Sequence, residues 1–447
     1  MVESREVRPL LKRALSRPLL LLGAAAFGIL LVLEQATILR FFALEASRGW
    51  PYTGLLTDFF TWWNTAVSVA AGRSPYEWLA EKPPGPEFFD PAVYPYPPLI
   101  ALLLAPLTQV LDYSTARLAW LSFSVLCLVL SVRLVWRTTG LRIRDPLAVV
   151  CCLALLPSAT WALYLGQFSP QLLLVTAGAF AALGARRSAT AGAFVALGAC
   201  LKSFPALLGG YFLLRRQWRG CLAAIVVGLL LLALSLLVLG WEPHWTYLTK
   251  VVPTQRRWWF GLPSDVSITG FFTHLLVDSP FNDPFTTPVV AAETLAQLAI
   301  ALSVAVLLAT SGYAIWHARS DREGEANAYA LAVVATLLVA PINANYNLVI
   351  ALVPLTVAAA RVQAAWPRHL RWFLLAVVLM SLPVFPFQLW PVIEYFPPVA
   401  GYLPLSQRGW GNLLASGPFF GQVVLWALLL RLCLEPRSLA ASEAATR

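Results

Sequence analysis

Long apolar segments separated by short polar ones run through most of the chain. Most of the apolar runs have about 20 residues, the length that an α-helix needs to cross a lipid bilayer. The runs are continuous instead of alternating between apolar and polar positions, which favours helices over half-buried strands. The pattern predicts an all-α polytopic integral membrane protein with about 10–13 membrane helices.

Two stretches depart from this pattern. Residues 98–112 are apolar but too short for a full span, so we expect a partial or re-entrant helix that packs against the rest of the protein. Residues 190–214 are long enough, but Gly198, Lys202 and Pro205 interrupt them. Because proline and a charged residue both disfavour an uninterrupted membrane helix, this stretch is predicted to form two half-helices.

The N-terminal apolar run extends from Pro18 to Leu39 and follows several basic residues. It is longer than the apolar region of a signal peptide, about 7–15 residues, so we interpret it as an uncleaved first membrane helix with a cytoplasmic N-terminus. Later basic residues also lie in short loops, as the positive-inside rule expects. We predict one integral membrane domain over 1–447, with outer loops carrying short interfacial helices at 42–97 and 241–290, and a smaller outer loop at 388–416.

The amino-acid composition supports an integral membrane protein and excludes other classes of protein. Of the 447 residues, 59% are hydrophobic and only 12% are charged, about half the charge of a soluble domain. This excludes a soluble enzyme, a disordered protein and a secreted disulfide scaffold. The net charge of +10 lies in the loops, so it indicates topology and not a nucleic-acid partner. All six cysteines lie in apolar runs, where we interpret them as small buried side chains.

One acidic residue stands apart from the topogenic charges. Asp58 lies in the first outer loop among aromatic residues, and no basic residue is near it in the sequence. Burial raises the pKa of an unpaired carboxyl group, which suits a general base that acts on a hydroxyl. The alternative is that Thr57 or Asp58 caps an amphipathic helix over 59–71.

Polar residues at three further outer positions are candidates for substrate contacts. Tyr94 and Tyr96 lie in a proline-rich segment that forces an extended path, where the rings could stack on a sugar or only stiffen the approach to the next helix. Gln167 lies between two apolar runs and could bind a ligand or cap a helix. The segment Pro341-Ile342-Asn343-Ala344-Asn345-Tyr346-Asn347, which we call the polar knot, places three asparagines between two apolar runs.

Basic residues at two places are candidates for an anionic ligand. Lys202 lies in an apolar context, where an ionisable residue indicates function unless the side chain reaches a nearby interface. The second outer loop carries the basic cluster that the topology places outside, Lys250, Arg256, Arg257 and His274. Arginine binds phosphate through paired hydrogen bonds, although these residues could instead pair with acids of the first loop.

These features share one side of the predicted membrane protein. No nucleotide sugar is expected outside a bacterial cell, so a phosphate site beside a carboxylate at the lipid interface indicates a lipid-linked phosphosugar as donor. Its lipid would lie between membrane helices, its phosphate would meet the basic cluster, and the carboxylate would deprotonate an acceptor hydroxyl.

The order and spacing of these landmarks resemble glycosyltransferase family 87. The motifs are Asp58 after the first membrane helix, Gly72-Arg73-Ser74-Pro75-Tyr76, the Tyr-Pro-Tyr-Pro-Pro-Leu segment at 94–99, Gly166-Gln167 and Lys202 with Pro205. The resemblance covers about residues 20 to 360. The polar knot departs from it, because related sequences often have histidine where this chain has asparagine.

The resemblance implies a GT-C fold and an inverting transfer from a polyprenyl-phosphate sugar, with Asp58 as the catalytic base. The donor phosphate is then assigned to the basic cluster and Lys202. The substrate-binding residues are Tyr94, Tyr96, Gln167, Ser267 and Asn345. We expect a hexosyltransferase, with mannose as the leading candidate sugar, that acts on a lipid or cell-envelope glycan at the outer face of the plasma membrane.

Three alternatives stay open. The first is a pentosyl transferase of the same fold with an arabinofuranosyl-type donor. The second, from another class, is a lipid or glycan transporter or flippase, which would have polar residues through the membrane depth and repeat symmetry. The third is a structural scaffold. Because carboxylates are sparse in the outer loops, we expect no metal cofactor, and nothing in the sequence identifies a protein partner.

Overall fold

The structure, a computed structural model, describes residues 28, 32, 35–36, 56–77, 94–253, 264–278, 288, 290–365, 369–382, 413 and 416–435. Within these ranges the chain is helical, and the single β feature is an isolated antiparallel bridge between Asp265 and Ala344. Most of the predicted first membrane helix and nearly all of the third outer loop lie outside the described residues. The assignment of the chain to one integral membrane domain stays a prediction.

The helices follow one another with short connections. In chain order they are α1 (Thr57–Ala70), α2 (Pro98–Leu104), α3 (Tyr113–Thr139), α4 (Pro146–Ala154), α5 (Leu156–Leu165), α6 (Ser169–Gly184), α7 (Ser188–Leu201), α8 (Gly209–Leu214), α9 (Trp218–Leu239), α10 (Glu242–Thr246), α11 (Ile268–Leu276), α12 (Glu293–His317), α13 (Arg322–Val339), α14 (Leu352–Ala364), α15 (Leu370–Met380) and α16 (Gly417–Leu434). Short 3₁₀ segments cover Ala105–Gln109, Phe204–Leu208 and Asn345–Ala351, and a π-helical turn covers Tyr247–Val251.

Local sequence explains where several helices begin and end. Asp112, Ser267 and Asp321 accept hydrogen bonds from backbone N–H groups in the first turns of α3, α11 and α13. These side chains satisfy N–H groups that have no partner inside the helix. Gly140 and Gly166 follow α3 and α5 in the left-handed conformation that glycine adopts without steric strain.

The predicted membrane architecture is confirmed at the level of fold class. Five helices, counting the segment Asn345–Ala364 as one, are long and apolar enough to cross a membrane. The consecutive helices α4 and α5 are bent by 43° relative to each other and make a sixth if they count as one span. These numbers refer to the described residues and rest on length and composition. The chain is therefore an all-α polytopic membrane protein.

The two irregular stretches also behave as the pattern predicts. Residues 98–109 form α2 and a 3₁₀ turn, too short together for a span. The interruption within 190–214 is confirmed, because α7 ends at Leu201 and the chain resumes as a 3₁₀ turn at Phe204. Lys202 lies in that break with an extended backbone.

Side-chain contacts between the termini of different helices gather at two ends of the bundle. At one end, the basic end, Arg322 donates to the Thr138 carbonyl, Arg215 donates to the Ala318 carbonyl, and Arg361 pairs with Glu323. The opposite end, the site end, contains the connections at 165–169, 201–204 and 339–345 together with α1. Most of the polar candidates from the sequence lie at the site end.

The core of the bundle is formed by α13 and the segment Asn345–Ala364, which is 78% buried. By contrast α9 is only 6% buried and exposes apolar side chains nearly all round, as a lipid-facing helix does. Small residues let α9 approach α7 closely. A Cβ atom added to Gly192 would lie 2.0 Å from the carbonyl oxygen of Gly220, so only glycine fits there.

Candidate active site at one end of the helical bundle

Asp58 lies in the first turn of α1, close to the connection that follows α5. The residue before the helix, Leu56, has a left-handed backbone with φ 73° although it carries a large side chain. Its N–H donates to the Tyr164 carbonyl at 2.6 Å, and its side chain is 1% exposed. Such strain is concentrated at functional sites and persists only where surrounding contacts hold it. The start of α1 is therefore fixed against the end of α5.

The Asp58 carboxylate accepts a hydrogen bond from Nε2 of Gln167. No side chain caps α1, so Asp58 does not have the capping role that was its alternative interpretation. Burial raises the pKa of Asp58 to about 6, while the positive charge of Lys202 and the Gln167 hydrogen bond act in the opposite direction. The carboxyl group therefore ionises near neutral pH and stays a useful proton acceptor.

Gln167 is held in place by the turn that ends α5. Gly166 has φ +73°, and a Cβ atom added there would lie 2.9 Å from Cβ of Phe59 on α1. The indole N–H of Trp120 donates to the Gly166 carbonyl at 2.8 Å, and the Gln167 N–H donates to the Ala162 carbonyl at 2.8 Å. The turn is thus fixed on both sides, and it directs the Gln167 amide at Asp58.

Lys202 reaches the same amide from the break between α7 and the following 3₁₀ turn. Its Nζ donates to Oε1 of Gln167 and to Oδ1 of Asn347, each at 3.1 Å. It also lies 4.7 Å from the ring centroid of Tyr346. The hydroxyl of Ser169 donates to the same Asn347 oxygen at 2.8 Å. Four side chains from distant parts of the sequence thus form one chain of contacts, Asn347–Lys202–Gln167–Asp58, which we call the amide relay.

Aromatic side chains surround the amide relay. The Tyr96 hydroxyl accepts from Nε2 of Gln167 at 3.3 Å, and its ring meets Trp62 edge to face at 5.2 Å between centroids. Phe168 stacks on Trp62 at 3.9 Å. Burial and the nearby Asp58 charge raise the pKa of Tyr96 well above its usual value, so its phenol is neutral. The wall combines apolar ring faces with a hydroxyl group.

The second tyrosine of the proline-rich segment lies deeper. Tyr94 is fully buried, and its hydroxyl donates to the Pro97 carbonyl at 2.8 Å and accepts from the Ala101 N–H at 3.1 Å. These bonds fix the start of α2. Tyr76 also supports the segment, because its hydroxyl donates to the Tyr96 carbonyl at 2.6 Å. The extended path thus places Tyr96 at the relay and Tyr94 beneath it.

The second outer loop is joined to the polar knot by a short antiparallel bridge. Val266 N–H donates to the Asn343 carbonyl, and Asn345 N–H donates to the Ser264 carbonyl, each at 2.9 Å. Oδ1 of Asp265 accepts from the N–H groups of Ser267 and Asn343, each at 3.0 Å. Burial raises the pKa of Asp265 to about 6, against these hydrogen bonds. Asp265 thus fastens the loop to the knot that carries Asn347.

The remaining predicted residues lie around this bridge. Ser267 is fully buried and caps α11, and Asn345 is 4% exposed within the bridge. His274 lies in the last turn of α11 and is half-buried. Lys250 is exposed on the π-helical turn, where Val251 packs in the same apolar cluster as Trp62 and Tyr94. The other two members of the basic cluster, Arg256 and Arg257, lie outside the described residues.

The structure therefore unites some predicted residues and adds others. Asp58, Tyr96, Gln167 and Lys202 meet in one network, whereas Ser267 and Asn345 belong to the bridge beside it. Sequence reasoning missed Asn347 as the acceptor for Lys202 and Asp265 as the fastener of the loop. A charged residue in an apolar context requires buried polar partners, so the three asparagines of the polar knot were the available signal for Asn347.

Among the described residues, no group of three or more histidine, cysteine, aspartate or glutamate side chains lies close enough together to hold a metal ion. Asp58 and Asp265 are the two carboxylates of the described site end whose pKa is raised. Both lie near Tyr346. Each is held by hydrogen bonds from the protein itself.

A family model described as glycosyltransferase family 87 matches residues 94–341, more than half of the chain. The matched region includes Tyr96, Gln167, Lys202 and the bridge residue Asp265, and it begins after Asp58 and ends before Asn347. No curated protein and no solved structure matches the chain.

Proposed function

The chain belongs to glycosyltransferase family 87, and on that premise we propose that it transfers a sugar, with mannose as the leading candidate, from a polyprenyl-phosphate donor to a lipid or cell-envelope glycan. It is a membrane glycosyltransferase, which requires a sugar donor and an acceptor. The observation that carries the finer proposal is the Asp58 carboxyl group, which is held by Gln167 at the site end of the bundle and whose pKa is raised to about 6 by burial.

The proposed reaction is a single displacement with inversion. The acceptor hydroxyl oxygen bonds to the anomeric carbon on the face opposite the donor phosphate. The bond between that carbon and the phosphate oxygen breaks, and the phosphate leaves with the electron pair. Asp58 takes the hydroxyl proton as the new bond forms. A carboxylate with a pKa of about 6 is ionised at pH 7 yet more basic than an ordinary aspartate, which suits this step.

The negative charge on the departing phosphate needs cationic or hydrogen-bonding partners. We assign this task to the basic cluster of Lys250, Arg256, Arg257 and His274. Support comes from the anchoring of the second outer loop, because α11 carries His274 and begins at the bridge to the polar knot. The turn with Lys250 also packs beside the aromatic wall, where Tyr247 stacks with Tyr76 at 6.2 Å between ring centroids.

The sugar is assigned to the polar edge of the aromatic wall, with Tyr96 and Gln167 as the direct contacts. Ser267 and Asn345 would shape the adjoining surface through the bridge, and Tyr94 would support Tyr96. We further propose that the transfer needs no metal ion, because carboxylates are sparse in the outer loops.

The site is assigned to the extracytoplasmic face of the plasma membrane, with a cytoplasmic N-terminus. Support comes from the two ends of the bundle. Basic residues of the loops concentrate at the basic end, and positively charged loops are retained in the cytoplasm. The site end, with Asp58, then faces outward, where a polyprenyl-phosphate sugar is the available kind of donor.

The proposal is tested with purified protein, a panel of polyprenyl-phosphate sugars and candidate lipid acceptors, with EDTA present. We expect transfer from one donor class, and Asp58→Asn should lower kcat by about 10²–10⁴-fold while the protein stays folded. Glu77→Gln is the matched control, since Glu77 is an exposed first-loop carboxylate paired with Arg73. Full activity of Asp58→Asn would refute the assigned base, and transfer that stops on adding EDTA would refute the metal-free mechanism.

A further inference from the structure

Lys202 is predicted from the sequence as a ligand of the donor phosphate, but its surroundings in the structure point to another role. An ammonium group has three N–H donors and no acceptor. Two of these donors are used by Oε1 of Gln167 and Oδ1 of Asn347, and the ring of Tyr346 lies 4.7 Å from the nitrogen. The ammonium is therefore surrounded by neutral protein groups, which leave little capacity for a phosphate.

The same contacts determine how the Gln167 amide is oriented. Because an ammonium only donates, the amide oxygen must face Lys202. The amide NH₂ group then faces Asp58, where it donates to the carboxylate. Without the cation the two ends of the amide could exchange, and the oxygen would then repel the carboxylate. Lys202 thus fixes the amide in the orientation that favours ionised Asp58.

The amide also keeps the cation and the carboxylate apart. A direct ion pair would hold Asp58 firmly ionised and lower its basicity. One intervening amide leaves an attraction across low-dielectric surroundings, without placing the ammonium on the carboxylate oxygens. The other titratable groups that face Asp58 in the described residues are Tyr96 and Tyr346, and Asp265 lies beyond Tyr346.

We propose that Lys202 is a positioning residue that acts through Gln167 to set the protonation of Asp58, and that it does not bind the donor phosphate. This inference rests on the proposed function for its catalytic meaning, since Asp58 is the base there. Its direct physical content is independent of activity. Lys202 lowers the pKa of the Asp58 carboxyl from the higher value that burial alone would give.

The test compares pH profiles of the wild type, Lys202→Met and Lys202→Arg. For the wild type, kcat should rise with pH through about 6, because the base must lose its proton. Burial lowers the pKa of Lys202 to about 7, so the profiles are compared on this acid limb, where the Lys202 side chain is still mostly charged. Lys202→Met should shift this acid limb upward by about one to two pH units, with much of the rate recovered at higher pH and the donor KM little changed. Lys202→Arg keeps a positive charge, so its acid limb should lie close to that of the wild type. Arg219→Met, which removes a charge at the basic end, should leave the profile unchanged.

A phosphate ligand would behave differently. In that case Lys202→Met would raise the donor KM and lower the rate at every pH, with the acid limb where it is in the wild type. That result would overturn the inference.

Infrared difference spectroscopy gives a readout that needs no turnover. The band of the protonated carboxyl group, identified by its loss in Asp58→Asn, should titrate at higher pH in Lys202→Met than in the wild type. An unchanged midpoint would overturn the inference even if transfer is confirmed. Absence of transfer from every donor, with a shifted midpoint, would refute the proposed function alone.

If Lys202→Met does not fold, Lys202→Gln replaces it. This change removes the positive charge but keeps a polar side chain that can donate to the acceptors of Gln167 and Asn347. The Asp58 midpoint should again move upward. A midpoint equal to that of the wild type would contradict the inference.

Discussion

The two ends of the helical bundle each hold a cation beside a carboxylate, but they connect the two charges differently. At the basic end Arg215 pairs directly with Glu325 through its Nε and a terminal guanidinium nitrogen. At the site end the Gln167 amide lies between Lys202 and Asp58. The comparison shows that a direct ion pair stabilises the fold, whereas a pair bridged by an amide leaves the carboxylate able to accept a proton.

The pair at the basic end is saturated. Besides Glu325, the Arg215 guanidinium donates to the carbonyls of Ile315, Ala318 and Arg319, which closes the end of α12. The Glu325 carboxylate also accepts from the Tyr211 hydroxyl and from Nε2 of Gln217. Every strong contact is made within the protein, so this pair joins α8, α12 and α13 and leaves nothing for a substrate. The carboxylate at the site end has fewer donors and keeps capacity for a proton.

The largest expected effect comes from breaking the saturated pair. Glu325→Gln leaves the Arg215 guanidinium, whose side chain is 6% exposed, without its countercharge. Loss of one partner of a buried pair costs about 3–5 kcal/mol, so we expect a matching fall in the free energy of unfolding in detergent. The surviving folded protein should keep its kcat. Asp58→Asn should show the reverse, with stability kept and kcat lost.

An exposed ion pair provides the reference for this change. Removing Glu77 from its exposed pair with Arg73 should alter the free energy of unfolding by less than about 1 kcal/mol. Equal stability of Glu325→Gln and Glu77→Gln would show that the Arg215 pair does not hold the basic end together.

A smaller effect is expected from the turn that carries Gln167. Gly166→Ala places a side chain on a left-handed backbone, which costs about 1–2 kcal/mol, and presses a methyl group against Phe59. The overpacking adds about 1–3 kcal/mol, and the shift of Gln167 should lower kcat. Unfolding free energy and kcat are the measurements.

Gly72→Ala separates the two contributions. Gly72 follows α1 with φ +74°, nearly the angle of Gly166, but no atom lies within 4 Å of an added Cβ. It should therefore show the backbone cost without any loss of kcat. If both alanine variants lose the same stability and both keep full kcat, the close approach of the turn to α1 is not what positions Gln167.

The smallest effect is a change in pH dependence when the site end is made more like the basic end. Asn347→Asp gives Lys202 a direct countercharge and leaves the acceptors for Ser169 and Lys202 in place. The attraction between Lys202 and Asp58 should weaken, so the pKa of Asp58 rises and the acid limb of kcat moves up by about one pH unit. Asn347→Leu, which adds no charge, is the control. An acid limb that moves to lower pH would contradict the relay.

The fold class and the residues of interest could be predicted from the sequence, but their contacts could not. Run length gave the all-α membrane architecture, and the charge within 190–214 gave the break at Lys202. The sequence did not reveal which side of each helix packs against its neighbours, because the lipid-exposed and buried sides of a membrane helix are both apolar. Gln167 and Lys202 therefore could not be matched to Asp58, which lies on a helix far away in the sequence.

Local rules also mislead at the start of α1. The residue types around Thr57 and Asp58 favour a side-chain cap, yet the helix begins at a strained Leu56 with no such cap. The backbone bond from Leu56 to Tyr164 outweighs the local preference. Only the three-dimensional packing of α1 on α5 reveals that contact.

The amide relay has a consequence for the synthesis of the protein. Its members are made in the order Asp58, Gln167, Lys202 and Asn347, and among the described helices α3, α9 and α12 lie between the first and the last. While the chain is being inserted, the early carboxylate lacks the amide that holds it, and the lysine lacks its asparagine. The full set of contacts, from Asn347 to Asp58, can therefore form only after Asn347 has been made.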